Sequence, residues 1–100
     1  NEVRITNTEF RATSKQKYLA VSLRLVRGTT RHFELYYYPA GDVQRRIEVP
    51  FAFHESCRET HVLLPVDSIP KKDGRLHIAV APQQQKSVMD TATIAGGVKP

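Results

Sequence analysis

Cysteine, tryptophan and long apolar runs are scarce or absent in this sequence. Cys57 is the only cysteine and tryptophan does not occur, so no internal disulfide can form and the fold must rely on an apolar core. No segment approaches the run of about 18 apolar residues that a membrane-spanning helix needs, and no signal-peptide pattern opens the chain. We therefore predict a folded domain without a membrane span.

Glycine-rich phosphate loops and catalytic groupings are also missing. The five glycines are scattered, and none of them opens a helical pattern. Glu55 and Glu59 flank Cys57 in a polar segment that offers neither a buried site for acid catalysis nor an orienting group for a nucleophile. A chain of 100 residues with short strands also encloses little concave volume. These observations predict a protein that is not an enzyme and holds no cofactor.

The overall composition is that of a globular protein. Apolar residues make up 40% and charged residues 25%, which excludes disordered and low-complexity classes. The length predicts a single domain over residues 1–95, followed by a flexible C-terminal tail or linker at 96–100. A start at Asn1 and a glycine-rich end are typical of a module that belongs to a larger protein. No motif indicates a cellular compartment.

Alternation of apolar and polar residues with a period of two recurs along the chain and predicts β-strands. The clearest segment sets Leu19, Val21 and Leu23 on one side and Arg24 on the other. Six further segments alternate in the same way: 3–8, 33–38, 47–53, 62–66, 76–80 and 88–94. Helical spacing of apolar residues is sustained nowhere. The pattern predicts an all-β fold with about seven strands, an antiparallel two-sheet β-sandwich that is immunoglobulin-like in shape.

Proline and turn residues predict the arrangement of the strands. Pro50 and Pro65 cannot donate a ladder hydrogen bond, which favours sheet edges or bulges for the strands that contain them. The first and last strands have no proline and little charge, so we expect them to be edges open to pairing with another chain. Asp73 followed by Gly74 predicts a hairpin turn.

Basic residues are concentrated in one part of the chain. The segment between Phe10 and Phe33 holds six cations and no acid, a local charge of +6 against +5 for the whole chain. These cations are Arg11, Lys15, Lys17, Arg24, Arg27 and Arg31. They attract phosphate-rich polymers, anionic lipids or acidic proteins. Because they divide between the two ends of a strand about 30 Å long, they argue against a dedicated nucleic-acid groove, and nucleic acid or another polyanion is the alternative partner.

Three consecutive tyrosines predict a binding surface. By alternation Tyr37 faces the core, whereas Tyr36 and Tyr38 face outward, where such rings are favoured in recognition. With the neighbouring basic residues they predict a site that consists of Arg24, Tyr36, Tyr38, Arg27 and Arg31. We accordingly predict a non-catalytic protein-interaction or structural module. It would dock a partner protein, or a neighbouring domain of the same chain, through this outward Tyr/Arg face or through a terminal edge strand.

A possible metal site is the second alternative. His54, Cys57 and His61 carry imidazole and thiolate groups, which zinc prefers as ligands. A structural zinc site normally has four ligands, and no fourth donor stands at a diagnostic spacing. The spacing therefore favours a solvated connection between two strands, and whether these three residues bind a metal is left open.

Overall fold

The structure is a computed structural model that describes residues 2–29, 31–80 and 88–94. Within these residues the chain forms seven β-strands, with two single 3-10 turns (Pro39–Gly41 and Val43–Arg45) between the third and fourth strands. The strands are β1 (Glu2–Ala12), β2 (Lys17–Arg27), β3 (His32–Tyr38), β4 (Ile47–Ala52), β5 (Glu59–Val66), β6 (Gly74–Val80) and β7 (Val88–Ile94). None of the described residues belongs to a helix that is long and apolar enough to span a bilayer.

The strands form two antiparallel sheets. One sheet has the order β1-β2-β5 and the other has the order β4-β3-β6-β7. The sheets face each other, with β1 beside β7 along one side and β5 beside β4 along the other. This arrangement confirms the predicted all-β, antiparallel two-sheet sandwich. The predicted tail at 96–100 lies outside the described residues.

The core lies between the sheets and follows the predicted alternation. The inward side chains of β2, from Leu19 to Leu25, are fully buried, as are Phe33, Leu35 and Tyr37 of β3. The rings of Phe33, Phe51 and Phe53 pack together, with centroids 5.7 to 5.9 Å apart. Each such side chain contributes about 1.5 to 3 kcal/mol by leaving water, and the described residues include no buried charged side chain. The sandwich is therefore held by its apolar inner faces.

The strand order agrees with the sheet edges that the prolines predict. Pro50 lies in β4 and Pro65 lies in β5, and both strands are at the edge of their sheets. The terminal strands β1 and β7 are also edge strands. A missing backbone N–H is tolerated at these positions because it can face away from the ladder.

The hairpin predicted at Gly74 is wrong. The strands on either side of it, β5 and β6, belong to different sheets, so the connection crosses from one sheet to the other. Gly74 serves a different purpose, because a Cβ atom placed on it would lie 2.8 Å from the carbonyl oxygen of Tyr38 and 3.0 Å from Cε1 of Tyr37. The glycine allows β6 to begin in close contact with the end of β3.

Candidate functional site

The structure does not bring the predicted Tyr/Arg residues onto one face. Arg24 lies on the outward face of the three-stranded sheet, whereas Tyr36 and Tyr38 belong to the outward side of the four-stranded sheet. Since these two faces point away from each other across the sandwich, they cannot form one contact surface. The single-face prediction is wrong because the connection between β2 and β3 changes sheets.

Tyr36 is also buried, although it points away from the core. Its side chain is 2% exposed, and its hydroxyl donates a hydrogen bond of 2.9 Å to Oε1 of Glu34. The guanidinium of Arg46 covers the ring at 5.4 Å from the centroid and forms an ion pair with Glu48. Burial and the hydrogen bond to Glu34 raise the pKa of the Tyr36 phenol well above its usual range. Tyr36 therefore stabilises this face and does not present its ring to a partner.

Tyr38 is half-buried beside a histidine. Its ring meets the ring of His77 edge-on, with centroids 5.1 Å apart. Burial lowers the pKa of His77, and the positive charge of Arg75 lowers it further. Of the two outward tyrosines, Tyr38 is the one whose side chain remains accessible.

Three of the six basic residues around β2 pair with an acid of the three-stranded sheet. Arg11 pairs with Glu9 at 3.5 Å and Arg24 pairs with Glu59 at 3.6 Å. Arg27 lies 3.1 Å from Glu2, which also binds Arg4. These acids belong to β1 and β5, the two strands that flank β2. Three of the six positive charges of this segment are therefore paired with acids of the same sheet, whereas those of Lys15 and Lys17 are not.

Arg31 is occupied by the backbone of the connection between β4 and β5. Its guanidinium donates to the carbonyl oxygens of Cys57 and Glu55, both at 2.9 Å, and to that of His54 at 3.3 Å. The carbonyl of Arg31 accepts from the N–H of Phe53 at 3.0 Å. Arg31 thus shapes a loop, and its predicted binding role stays a prediction.

The three candidate metal ligands do not converge. His54 contacts the hydroxyl of Ser56 at 3.0 Å within its loop, and Cys57 is exposed. His61 lies in β5, where its Nδ1 is 3.0 Å from the hydroxyl of Ser22. Across residues 2–29, 31–80 and 88–94, no three histidine, cysteine or carboxylate side chains lie close enough to hold a metal ion. The arrangement contradicts the alternative of a metal-binding module built on these residues.

The described cations whose side chains have neither an ion pair nor a hydrogen bond gather at one end of the sandwich. We call this region the basic end: the β1–β2 turn at 13–16, the β3–β4 connection at 39–46, the β5–β6 connection at 67–73 and the adjoining strand ends. In the described part of the chain, eight cations form no ion pair. Arg31 and Arg58 donate to backbone carbonyl oxygens at the other end of the sandwich, and the remaining six cations belong to the basic end. They are Lys15, Lys17, Arg45, Lys71, Lys72 and Arg75.

Two adjoining cavities open at the basic end. The larger, of about 270 Å³, lies between the β3–β4 connection and the end of β5. The smaller, of about 260 Å³, lies against the β1–β2 turn and includes Lys15 and Lys17 in its wall. Val66 and Asp67 line both cavities, which makes them neighbours on one surface.

Polar groups without partners line the larger cavity. Its wall includes Arg45, Asp67 and Ser68, together with Tyr37 from the core. In the described part of the chain, the side chains of these four residues form no hydrogen bond or ion pair with one another or with a neighbour. Burial raises the pKa of Tyr37, and the nearby positive charge of Arg45 opposes that rise. The cavity therefore combines a cation, an anion and two hydroxyl groups.

Sequence reasoning missed this site because its residues come from three separate connections. Arg45 and Asp67 are 22 positions apart in the chain (67 minus 45), and no short motif joins them. The one signal of this site in the sequence is compositional: Lys71 and Lys72 are adjacent cations in a polar loop.

Comparison with protein-family models, with curated proteins and with solved structures finds no match to this chain. Its function is therefore inferred from the placement and charge of its own residues.

Proposed function

We propose that this chain is a non-catalytic protein-interaction module that docks an acidic segment of a partner protein at its basic end. One observation carries the proposal: the described cations whose side chains form neither an ion pair nor a hydrogen bond converge on this end. The other described cations are held by acids or by backbone carbonyl oxygens. A free cation attracts an acidic partner without breaking an internal ion pair. Clustered charge of one sign also accelerates encounter with such a partner.

The same region favours an acidic protein over nucleic acid. Asp42, Asp67 and Asp73 lie among the cations of this end, and each would repel a phosphate backbone. Tyr37 is the one aromatic residue that lines the larger cavity, and the smaller cavity has none. The burial of Tyr37 removes the ring face on which a base would stack. A peptide has backbone N–H groups as well as acidic side chains, so it matches a surface of mixed charge.

The proposed immunoglobulin-like description of the module rests on its seven antiparallel strands in two facing sheets. A constant-type immunoglobulin sheet pair joins the first, second, fifth and fourth strands against the third, sixth and seventh. Here the fourth strand instead pairs with the third. In sandwiches of this kind the connections at one end of the sheets commonly form the binding site.

The two docking surfaces predicted from the sequence carry less weight. On the outward Tyr/Arg face, Arg46 is held by Glu48 and covers Tyr36, which leaves little aromatic surface for contact. The edge strands β1 and β7 lie beside each other. Neither surface offers the group of unpaired charges found at the basic end.

A titration of the isotope-labelled chain with acidic peptide tests the proposal. The probe is a peptide of six glutamates, compared with one of six glutamines, and binding is followed by NMR shifts of the protein amides. We expect the glutamate peptide to shift amides of the basic end and the K71Q/K72Q variant to weaken binding by about tenfold. The control is R24Q/R27Q, which removes the same net charge from paired residues of β2 that lie toward the other end of the sandwich.

The control and a second probe separate the competing outcomes. An equal loss of affinity in both variants would mean that net charge alone drives binding, and would overturn the proposal. Stronger binding of a single-stranded oligonucleotide than of the glutamate peptide, with a steep dependence on salt, would favour the polyanion alternative instead.

A further inference from the structure

We infer that the larger cavity at the basic end is a pocket for one carboxylate side chain of the docked segment. Arg45 and the hydroxyl groups of Tyr37 and Ser68 would donate to the carboxylate, and Asp67 would accept a backbone N–H of the same segment. This inference rests on the proposed function and goes further, because it names the chemical group that is recognised and the residues that recognise it.

The state of Tyr37 is the first reason. This residue is 1% exposed overall, and its side chain forms no hydrogen bond to another described residue. Because the described residues contain no fully buried side-chain oxygen or nitrogen that lacks a partner, the hydroxyl of Tyr37 is the part of the side chain that reaches open space. Since Tyr37 lines the cavity, the partner of its hydroxyl is whatever enters that space. An acceptor such as a carboxylate oxygen satisfies it.

The placement of Arg45 is the second reason. Its backbone is fixed, because Asp42 accepts from the N–H of Gln44 at 2.9 Å through its side chain and from the N–H of Arg45 at 3.1 Å through its carbonyl. The next residue, Arg46, turns to the outward face and is engaged by Glu48. Arg45 is thus the guanidinium that remains free at the cavity. Its planar fork of donors matches the two oxygens of a carboxylate.

Asp67 restricts what the pocket accepts. Its carboxylate has no ion pair in the described part of the chain, and it lines both cavities. A group with several negative charges is repelled at this position, whereas a single carboxylate on an extended peptide brings an N–H donor within reach. The volume of about 270 Å³ is just below the range for drug-sized ligands, which begins at about 300 Å³. It suits an amino-acid side chain.

A double-mutant cycle between protein and peptide tests the pocket. The probes are capped eight-residue Gly/Ser peptides that contain one glutamate or, in the same position, one glutamine. We expect R45Q to lower the affinity for the glutamate peptide by about tenfold and to leave the affinity for the glutamine peptide unchanged, since hydrogen bonds between charged groups are stronger than those between neutral groups. Y37F and S68A should each lower the affinity for the glutamate peptide by about two- to fivefold.

Two controls keep the outcome interpretable. R24Q removes a guanidinium that pairs with Glu59 on the opposite side of the molecule, so it should leave the affinity unchanged. Thermal unfolding of each variant shows whether the fold is retained, and S68A, which changes an exposed side chain, keeps the test valid if Y37F unfolds.

The outcomes separate the pocket from the docking surface. If K71Q/K72Q weakens the six-glutamate peptide but R45Q changes neither probe, the segment docks at the basic end without using the cavity, and the inference fails while the proposed function stands. If no glutamate peptide binds, both fail. If inorganic phosphate competes with the glutamate peptide at equal concentration, the site is a general anion site and the assignment to a carboxylate is wrong.

Discussion

The two ends of the sandwich use their basic residues in opposite ways. At the end that contains the β2–β3 and β4–β5 connections, Arg31 donates to three carbonyl oxygens and Arg58 donates to the carbonyl of Leu25. At the basic end, Arg45 and the neighbouring lysines have no such partners in the described part of the chain. Arginine therefore holds loops together at one end and is left available at the other. Exposure alone would not distinguish the two, because both ends are solvated.

The largest effect is expected at Gly74, where the basic end depends on close packing. G74A places a Cβ atom 2.8 Å from the carbonyl oxygen of Tyr38, and the backbone must move to relieve the contact. We expect a loss of about 2 to 3 kcal/mol in the free energy of unfolding, the usual cost of overpacking. Urea denaturation measures it. An unchanged stability would mean that β6 can shift against β3 without cost, and would contradict the close packing of Gly74 against the end of β3.

The second prediction compares Arg31 with Arg45 directly. R31A removes three hydrogen bonds from a charged donor to the β4–β5 connection, and we expect a loss of about 1 to 2 kcal/mol because the site is partly solvated. R45A should change stability by less than about 0.5 kcal/mol. R31K should not restore stability, since one ammonium cannot span the three carbonyls that the guanidinium reaches. Equal losses in R31A and R45A would contradict the contrast between the ends.

The third prediction concerns the face between the two ends. Y36F removes the hydrogen bond to Glu34 and should cost about 1 kcal/mol at neutral pH. The pKa of Tyr36 is raised in the folded state, so above a pH of about 10 the unfolded chain loses this proton while the folded chain keeps it, and stability falls as the pH rises. In Y36F the alkaline loss should be shallower. Urea denaturation at neutral and alkaline pH measures both, and Y38F is the matched control.

How far the sequence predicts this molecule depends on whether the relevant pattern is local. Alternation along β2 and β3 is local, and it correctly predicts the side chains that face the core and that Pro50 lies at an edge, although it misses the burial of Tyr36 on the outward side. The sheet that a strand joins is not local, because the same alternation results whether the chain turns back in its own sheet or crosses to the other. For that reason alternation and turn residues wrongly predict one common face for Arg24 and Tyr36 and a hairpin at Gly74.

The pairing of the charged residues is not a local property either. A count along the chain finds no acid near Arg24, but Glu59 pairs with it from β5. Ion pairs between strands depend on register, which a single sequence does not reveal. The candidate site is similarly non-local, since Lys17, Arg45 and Asp67 meet only when three connections come together at one end.

The smallest effect is expected at His77, which contacts the ring of Tyr38 and lies two residues from Arg75 in β6. Burial and the charge of Arg75 lower the pKa of His77 in the folded state. Below a pH of about 6.5, the unfolded chain therefore binds this proton before the folded chain does, and stability falls as the pH is lowered. H77Q should flatten this part of the profile in urea denaturation between pH 7 and pH 5, because glutamine does not titrate there. R75Q should have a smaller effect in the same direction, since burial, the larger cause, remains. If R75Q flattened the profile as much as H77Q, the charge of Arg75 would be the main cause of the lowered pKa of His77. Arg75 would then affect the stability of the fold, as Arg31 does at the other end.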